Sequence, residues 1–221
     1  GSTGGSGSTR GCGSTGSGPG TEAGPEDPDI PLGALTFPDV PAGAWYEKAV
    51  AYVCEKGLMT GTGSETFSPD QNTTRGMIVT ILYRLAGSPS VETGPDFRDV
   101  SAGMWYTDAV AWGSANGLVN GYGDGRFGPE DPITREQLAA FLYRYAMSQG
   151  EDVTVSGDLT AFTDGAEASG WAAEALAWAV ERGILSGKGN GVLDPTGTAT
   201  RAETAQMLMN AMENRKDEGV S

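Results

Sequence analysis

Between residues 45 and 55 the apolar positions Trp45, Ala49, Val50 and Val53 recur at helical spacing. Gly57 follows, where a left-handed residue commonly ends a helix. Next comes a Gly-rich loop, "TGTGSETFSPD", whose one bulky apolar residue, Phe67, is suited to plug the loop into a core. Thr74 then stands where a helix cap is wanted, ahead of a second apolar stripe of Ile78, Ile81, Leu82 and Leu85. The pattern predicts helix, loop, helix.

The same pattern returns twice. Phe37-Pro38-Asp39-Val40 corresponds to Phe97-Arg98-Asp99-Val100 and to Phe162-Thr163-Asp164-Gly165. From Trp45, Trp105 and Trp171 to Arg75, Arg135 and Arg201 the copies align without a gap. Gly57, Gly117 and Gly183 match within that span, as do Gly61, Gly121 and Gly187, and Pro69, Pro129 and Pro195. The loop plug becomes Phe127 and Leu193, and the second stripe becomes Leu138, Phe141, Leu142 and Tyr145, then Thr204, Met207, Leu208 and Ala211. Thr134 with Gln137, and Thr200 with Glu203, have the spacing of a capping box, which Met77 breaks in the first copy. An amphipathic hairpin cannot bury its apolar face alone, so the copies are expected to pack together. This predicts one all-α domain of six main helices with pseudo-threefold symmetry, the second helices packed against one another.

Flanking segments read differently. Residues 1–33 are Gly/Ser/Thr-rich, then acidic and proline-rich, the composition of a tether. Residues 34–214 hold the repeats, at about 35–93, 94–155 and 156–214, and the charged residues 215–221 are expected to be disordered. The chain starts at Gly1 without an apolar leader, so it reads as a fragment or processed form.

Composition narrows the function. A formal net charge of -15 argues against nucleic acid and anionic membrane surfaces as partners. No stretch approaches a membrane span. Having no histidine, the chain lacks the commonest general base and transition-metal ligand. No carboxylate pair stands out for glycoside cleavage, and no cofactor or metal is expected. "YGDGRFGPED" lacks the alternating ligands of an EF-hand and reads as a glycine turn. Cys54 reads as a small, partly buried helix residue and Cys12 as unpaired.

The arginines stand out against this acidic background. Each follows the capping threonine, at a helix N-terminus, where a positive charge is mildly unfavourable. Two readings account for them. A guanidinium beside exposed backbone N–H groups is a receptor for a carboxylate or phosphate, with the Gly-rich loop adding N–H groups and tryptophan a stacking face. Alternatively, each arginine pairs with a repeated aspartate and locks neighbouring copies together. The tryptophans fit a core role or a groove wall, and the aspartates fit caps or turns.

"FPDVPAGAWYEKAVAYVCEKGLMTG…FSPDQNTTRGM", "FRDVSAGMWYTDAVAWGSANGLVNGYGDGRFGPEDPITREQ" and "FTDGAEASGWAAEALAWAVERGILSGKGNGVLDPTGTATRAE" resemble S-layer homology (SLH) repeats, over about residues 35–214. The resemblance implies a pseudo-trimeric spindle of three helix–loop–helix repeats around a central three-helix bundle, with grooves between copies. It implies a non-catalytic, extracellular module that anchors a protein to a bacterial cell wall or S-layer. The implied ligand is a secondary cell-wall polysaccharide carrying pyruvate ketals. Carried over by position, the ketal-binding arginine falls on Arg75, Arg135 and Arg201, and the groove aromatic on Trp45, Trp105 and Trp171. The repeat-start aspartate falls on Asp39, Asp99 and Asp164, and further backbone contacts on Gly61, Gly121 and Gly187. The full "TRAE" occurs only in the third copy, beside "TREQ" and "TRGM", so the grooves are expected to differ, the one using Arg75 being weakest. A self-assembling module whose arginines only make inter-repeat ion pairs is the alternative. A monomer tethered to an N-terminal cargo domain is the expected state.

Overall fold

The computed structural model describes residues 37–94 and 96–218, so the tether, Cys12 and the last three residues lie outside the described part. Six α-helices follow in order: α1 Glu47–Glu55, α2 Arg75–Leu85, α3 Thr107–Ala115, α4 Arg135–Ser148, α5 Ala173–Glu181 and α6 Arg201–Glu218. Each repeat holds two, and α6 runs past the end expected at Asn214. No strand forms among the described residues; only isolated bridges do.

The local signals act as the sequence implies. Thr74 accepts the N–H of Met77, and Thr134 and Gln137 close a capping box. Thr200 and Glu203 close another, with bonds of 3.2 and 2.9 Å. Gly57, Gly117 and Gly183 hold φ of 65°, 68° and 64°, a region that side chains disfavour, and end the first helix of each repeat. Phe67, Phe127 and Leu193 are fully buried, so the loops are pinned to the core. That core runs continuously through all three repeats.

Packing departs from a set of self-contained hairpins. The main helix pairs are α2 with α3, α4 with α5 and α6 with α1. The second helix of each repeat therefore packs on the first helix of the next, and the third returns to the first. Of the second helices, α2 and α4 also touch. These second helices are apolar on more than one face, with Met77, Ile78, Val79, Ile81 and Leu82 all buried in α2, and a single short partner helix cannot cover them.

A ring of backbone hydrogen bonds marks the pseudo-threefold axis. Thr73 N–H donates to Ala199 O at 3.0 Å, Ala199 N–H to Ile133 O at 2.9 Å, and Ile133 N–H to Thr73 O at 2.9 Å. These equivalent residues precede the three capping threonines and close a cycle. Beside it, the buried hydroxyls of Thr73 and Thr204 meet at 3.0 Å.

Candidate functional site: clefts built from three repeats

The arginine puzzle is resolved first by the backbone around it. Arg75 N–H donates to Asp131 O and Gly76 N–H to Pro129 O; Arg135 and Glu136 do the same to Gly197 and Pro195, and Arg201 and Ala202 to Gln71 and Pro69. With the threonine cap on the third N–H, the first turn of each second helix is satisfied within the protein. The helix N-terminus expected to receive a ligand anion is therefore already occupied. The repeated prolines supply carbonyls to it.

The guanidinium groups then cross to the loop of the next repeat. Arg75 Nε donates to Phe127 O at 2.8 Å and Nη2 to Asn120 O at 2.7 Å. Arg135 Nε donates to Leu193 O at 3.0 Å and Nη2 to Ser186 O at 2.8 Å. Arg201 Nε donates to Phe67 O at 2.8 Å and Nη2 to Thr60 O. All three are buried, with exposures of 3%, 3% and 1%. Arg75 and Arg201 also lie over the rings of Phe127 and Phe67, both at 4.6 Å.

Aspartates hold the opposite side of the same peptides. Asp39 accepts from Phe67 and Ser68 N–H at 3.0 and 2.7 Å, Asp99 from Phe127 and Gly128 N–H at 2.8 Å each, and Asp164 from Leu193 and Asp194 N–H at 2.8 and 2.7 Å. The aspartates are thus neither first-helix caps nor simple turn residues. Each clamps the N–H side of a plug residue whose carbonyl an arginine from the preceding repeat clamps. Inter-repeat locking is present, with each arginine and aspartate meeting through a shared peptide rather than as an ion pair. Burial raises the pKa of Asp99, yet the N–H bonds from Phe127 and Gly128 outweigh it and hold the carboxyl below its usual range. The Leu193 N–H bond leads the same depression at Asp164. Burial lowers the pKa of Arg75 and Arg135, opposed by Tyr122 in one case and Glu203 in the other.

The tryptophans are the clearest departure from a core reading. Trp45 and Trp171 are 61% and 56% exposed, and Trp105 is half-buried. Each precedes its helix, which starts at Glu47, Thr107 or Ala173, so none belongs to the apolar stripe. Each of the two exposed indoles walls a cleft. One, of about 390 Å³, joins Trp171 of the third repeat, Arg75 of the first, and Gly121, Tyr122, Gln137, Phe141 and Arg144 of the second. The other, of about 380 Å³, joins Trp45 of the first repeat, Arg135 of the second, and Gly187, Lys188, Glu203 and Met207 of the third. Every repeat thus contributes to both. Trp105, Arg201 and Gly61 hold the corresponding positions of the repeat.

The loop glycines are required by close approach. A Cβ on Gly61, Gly121 or Gly187 would strike Phe37, Phe97 or Phe162 and the carbonyl of Thr66, Arg126 or Val192. The N–H groups of Gly121 and Gly187 have no intramolecular acceptor among the described residues, and both glycines line the clefts. Glu136, through its bonds of 2.9 Å to Ser169 N–H and Oγ, holds the turn carrying Trp171 against α4.

Sequence reasoning did not single out Tyr122, Lys188 or Arg144 as cleft residues, and assigned Gln137 and Glu203 only as caps. Their shared positions within the repeat were the signal. Tyr122 and Lys188 follow the loop glycine, and Gln137 and Glu203 stand third in the second helix. No group able to hold a metal ion occurs among the described residues.

These features define a closed three-repeat helical module with arginine-lined, tryptophan-walled clefts between its repeats. The family model for the S-layer homology domain matches residues 36–76, 96–139 and 161–205, and the chain belongs to that family. It is 35% identical over 176 residues to the S-layer protein sap of Bacillus anthracis, covering 78% of this chain and 21% of that protein. It is 29% identical over 180 residues to an amylopullulanase of Thermoanaerobacterium thermosulfurigenes, covering 80% of this chain and 10% of the enzyme. Exoglucanase XynX of Acetivibrio thermocellus is 28% identical over 181 residues, 81% of this chain and 16% of that enzyme. The chain thus spans between 10% and 21% of the length of these relatives. Membership makes the module a cell-surface anchor, extracellular at the wall or S-layer.

Proposed function

We propose that the module is a non-catalytic carbohydrate-binding unit that fastens an extracellular protein to an acidic, pyruvylated cell-wall polysaccharide. The observation that carries this is the Arg75 side chain. Its Nε and Nη2 bind loop carbonyls, while Nη1 has no acceptor among the described residues and the side chain lines the cleft opposite an exposed Trp171. A ketal carboxylate meeting Nη1 gains a charge-assisted hydrogen bond, and the attached sugar ring gains the indole face. The free N–H of Gly121 adds a donor that no side chain obstructs. The arginine is therefore both a lock between repeats and a receptor, using different nitrogens.

Net acidity does not oppose this, because screening at physiological salt limits the field of distant carboxylates to about 8 Å. The proposed state is a monomer carried on a tether from cargo on its N-terminal side.

Co-sedimentation with purified wall sacculi tests the reading. The chain should pellet with intact sacculi, remain in solution with sacculi stripped of their secondary polysaccharide, and be displaced by that polysaccharide added free. Equal pelleting with stripped sacculi would contradict it. Light scattering of the protein alone should show no assembly, whereas growth into large particles would favour a lattice-forming role.

A further inference from the structure

The two clefts carry the same arginine, tryptophan and glycine, yet their charged residues differ. In the cleft walled by Trp45, Arg135 Nη1 donates to Glu203 Oε1 at 3.0 Å, and Lys188 Nζ lies 3.4 Å from the same oxygen. Lys188 also bonds Asp194 at 2.6 Å. Both cations are thus matched by carboxylates of the protein itself. In the cleft walled by Trp171 the equivalent of Glu203 is Gln137, whose Oε1 accepts Thr134 N–H at 3.3 Å in the capping box. The equivalent nitrogen, Arg75 Nη1, meets no acceptor among the described residues, although the side chain is only 3% exposed. Tyr122 replaces Lys188 and lays its ring 4.8 Å from the guanidinium carbon. Arg144 adds a second cation to the lining.

We infer that the residue third in the second helix decides which cleft takes a carboxylate: Gln137 leaves Arg75 open to the ligand, whereas Glu203 occupies Arg135 from within. This rests on the acidic-glycan reading above and refines it by assigning the ligand to one cleft. It reverses the expectation that the Arg75 groove is weakest. That expectation took the "TRGM" helix start as the measure of the Arg75 groove. In the observed cleft Arg75 shares the lining not with Met77 of its own helix start but with Gln137 of the intact capping box of α4. An incoming carboxylate at Arg135 has to displace Glu203, which costs the ion pair it replaces. At Arg75 it fills an open donor position in a partly desolvated site.

Glu and Gln both accept the threonine N–H, so exchanging them alters charge while preserving the helix cap. The test titrates the 15N-labelled chain with a methyl hexoside bearing a 4,6-O-pyruvate ketal, and with its methyl ester as the neutral control. Indole N–H resonances of Trp45, Trp105 and Trp171 are followed, assigned by single Trp→Phe replacements. The acid should move the Trp171 resonance saturably and leave Trp45 nearly still. Gln137→Glu should weaken binding at Trp171 by about tenfold or more, and Glu203→Gln should bring saturable shifts to Trp45. Equal affinity at Trp45 and Trp171 in the unaltered chain, movement at Trp105 alone, or no response to Gln137→Glu would overturn the inference. If the ester binds as well as the acid, or no indole moves, the acidic-glycan reading itself fails. Acid-selective binding that ignores both exchanges removes only the assignment to one cleft.

Discussion

An arginine at a helix N-terminus gains nothing from the helix dipole, and here its compensation is a carbonyl pair in the neighbouring repeat. Arg75 is bonded to Phe127 O and Asn120 O while Asp99 holds the other side of Phe127. Removing the guanidinium leaves buried carbonyls without donors. Arg75→Ala should therefore lower the unfolding free energy by about 2–4 kcal/mol in urea titrations, and Arg75→Lys, which lacks the fork, should restore only part of it. The aspartate side predicts a pH dependence. Asp99 and Asp164 are held below their usual range in the folded state, so their contribution is complete above the unfolded carboxyl pKa of about 4. It is lost as pH falls through the folded values. Melting temperature should drop on acidification below about pH 4, and Asp99→Asn should flatten that slope while lowering stability at neutral pH. At this scale the sequence pointed to the arginines and aspartates but not to their partners in the fold. Arg75 and Phe127 lie far apart in the chain, and an arginine bound to a carbonyl leaves no mark on residue type, unlike one paired with a carboxylate.

Elements were more legible than contacts. Threonine caps, closing glycines and the plugs Phe67, Phe127 and Leu193 all carry local chemistry, and each fixed an element where the repeat pattern indicated it. Trp45 was misplaced because its spacing from Ala49 fits a helical stripe, whereas α1 begins two positions later at Glu47. A periodic pattern extended past a helix start recruits residues that the backbone has already turned away. The free N-terminus was misjudged for a related reason: Pro129, Pro195 and Pro69 deliver carbonyls from other repeats, which no local pattern reveals. The loop offers a test at this scale. Gly121→Ala sets a methyl against Arg126 O and the Phe97 ring. It should destabilise the chain by about 1–3 kcal/mol, read by thermal or urea unfolding. Unchanged stability would show that the loop can yield there.

The molecule as a whole is a cycle. Helix pairs and guanidinium bonds run from first repeat to second, second to third and third back to first, and the axial hydrogen-bond ring closes the same cycle with its donors in the opposite sense. The repeats revealed the threefold count and the all-α class, but a repeat pattern is equally compatible with helices paired inside each copy. The pairing of each second helix with the first helix of the next repeat is a long-range contact that only the assembled structure expresses. Since every cleft draws on all three repeats, folding and binding should be inseparable: residues 37–155 alone should show little cooperative unfolding by circular dichroism, whereas the full chain unfolds in one transition. A stable, cooperatively melting two-repeat fragment would contradict the closed cycle. The central claim is that this closure presents a guanidinium to an acidic glycan, and its most direct test is calorimetric titration of the full chain with purified wall polysaccharide, native and after mild acid has removed its ketals. The account predicts saturable binding to the native polymer that disappears with the ketal. Binding of equal strength to both polymers would return the arginines to a structural role alone.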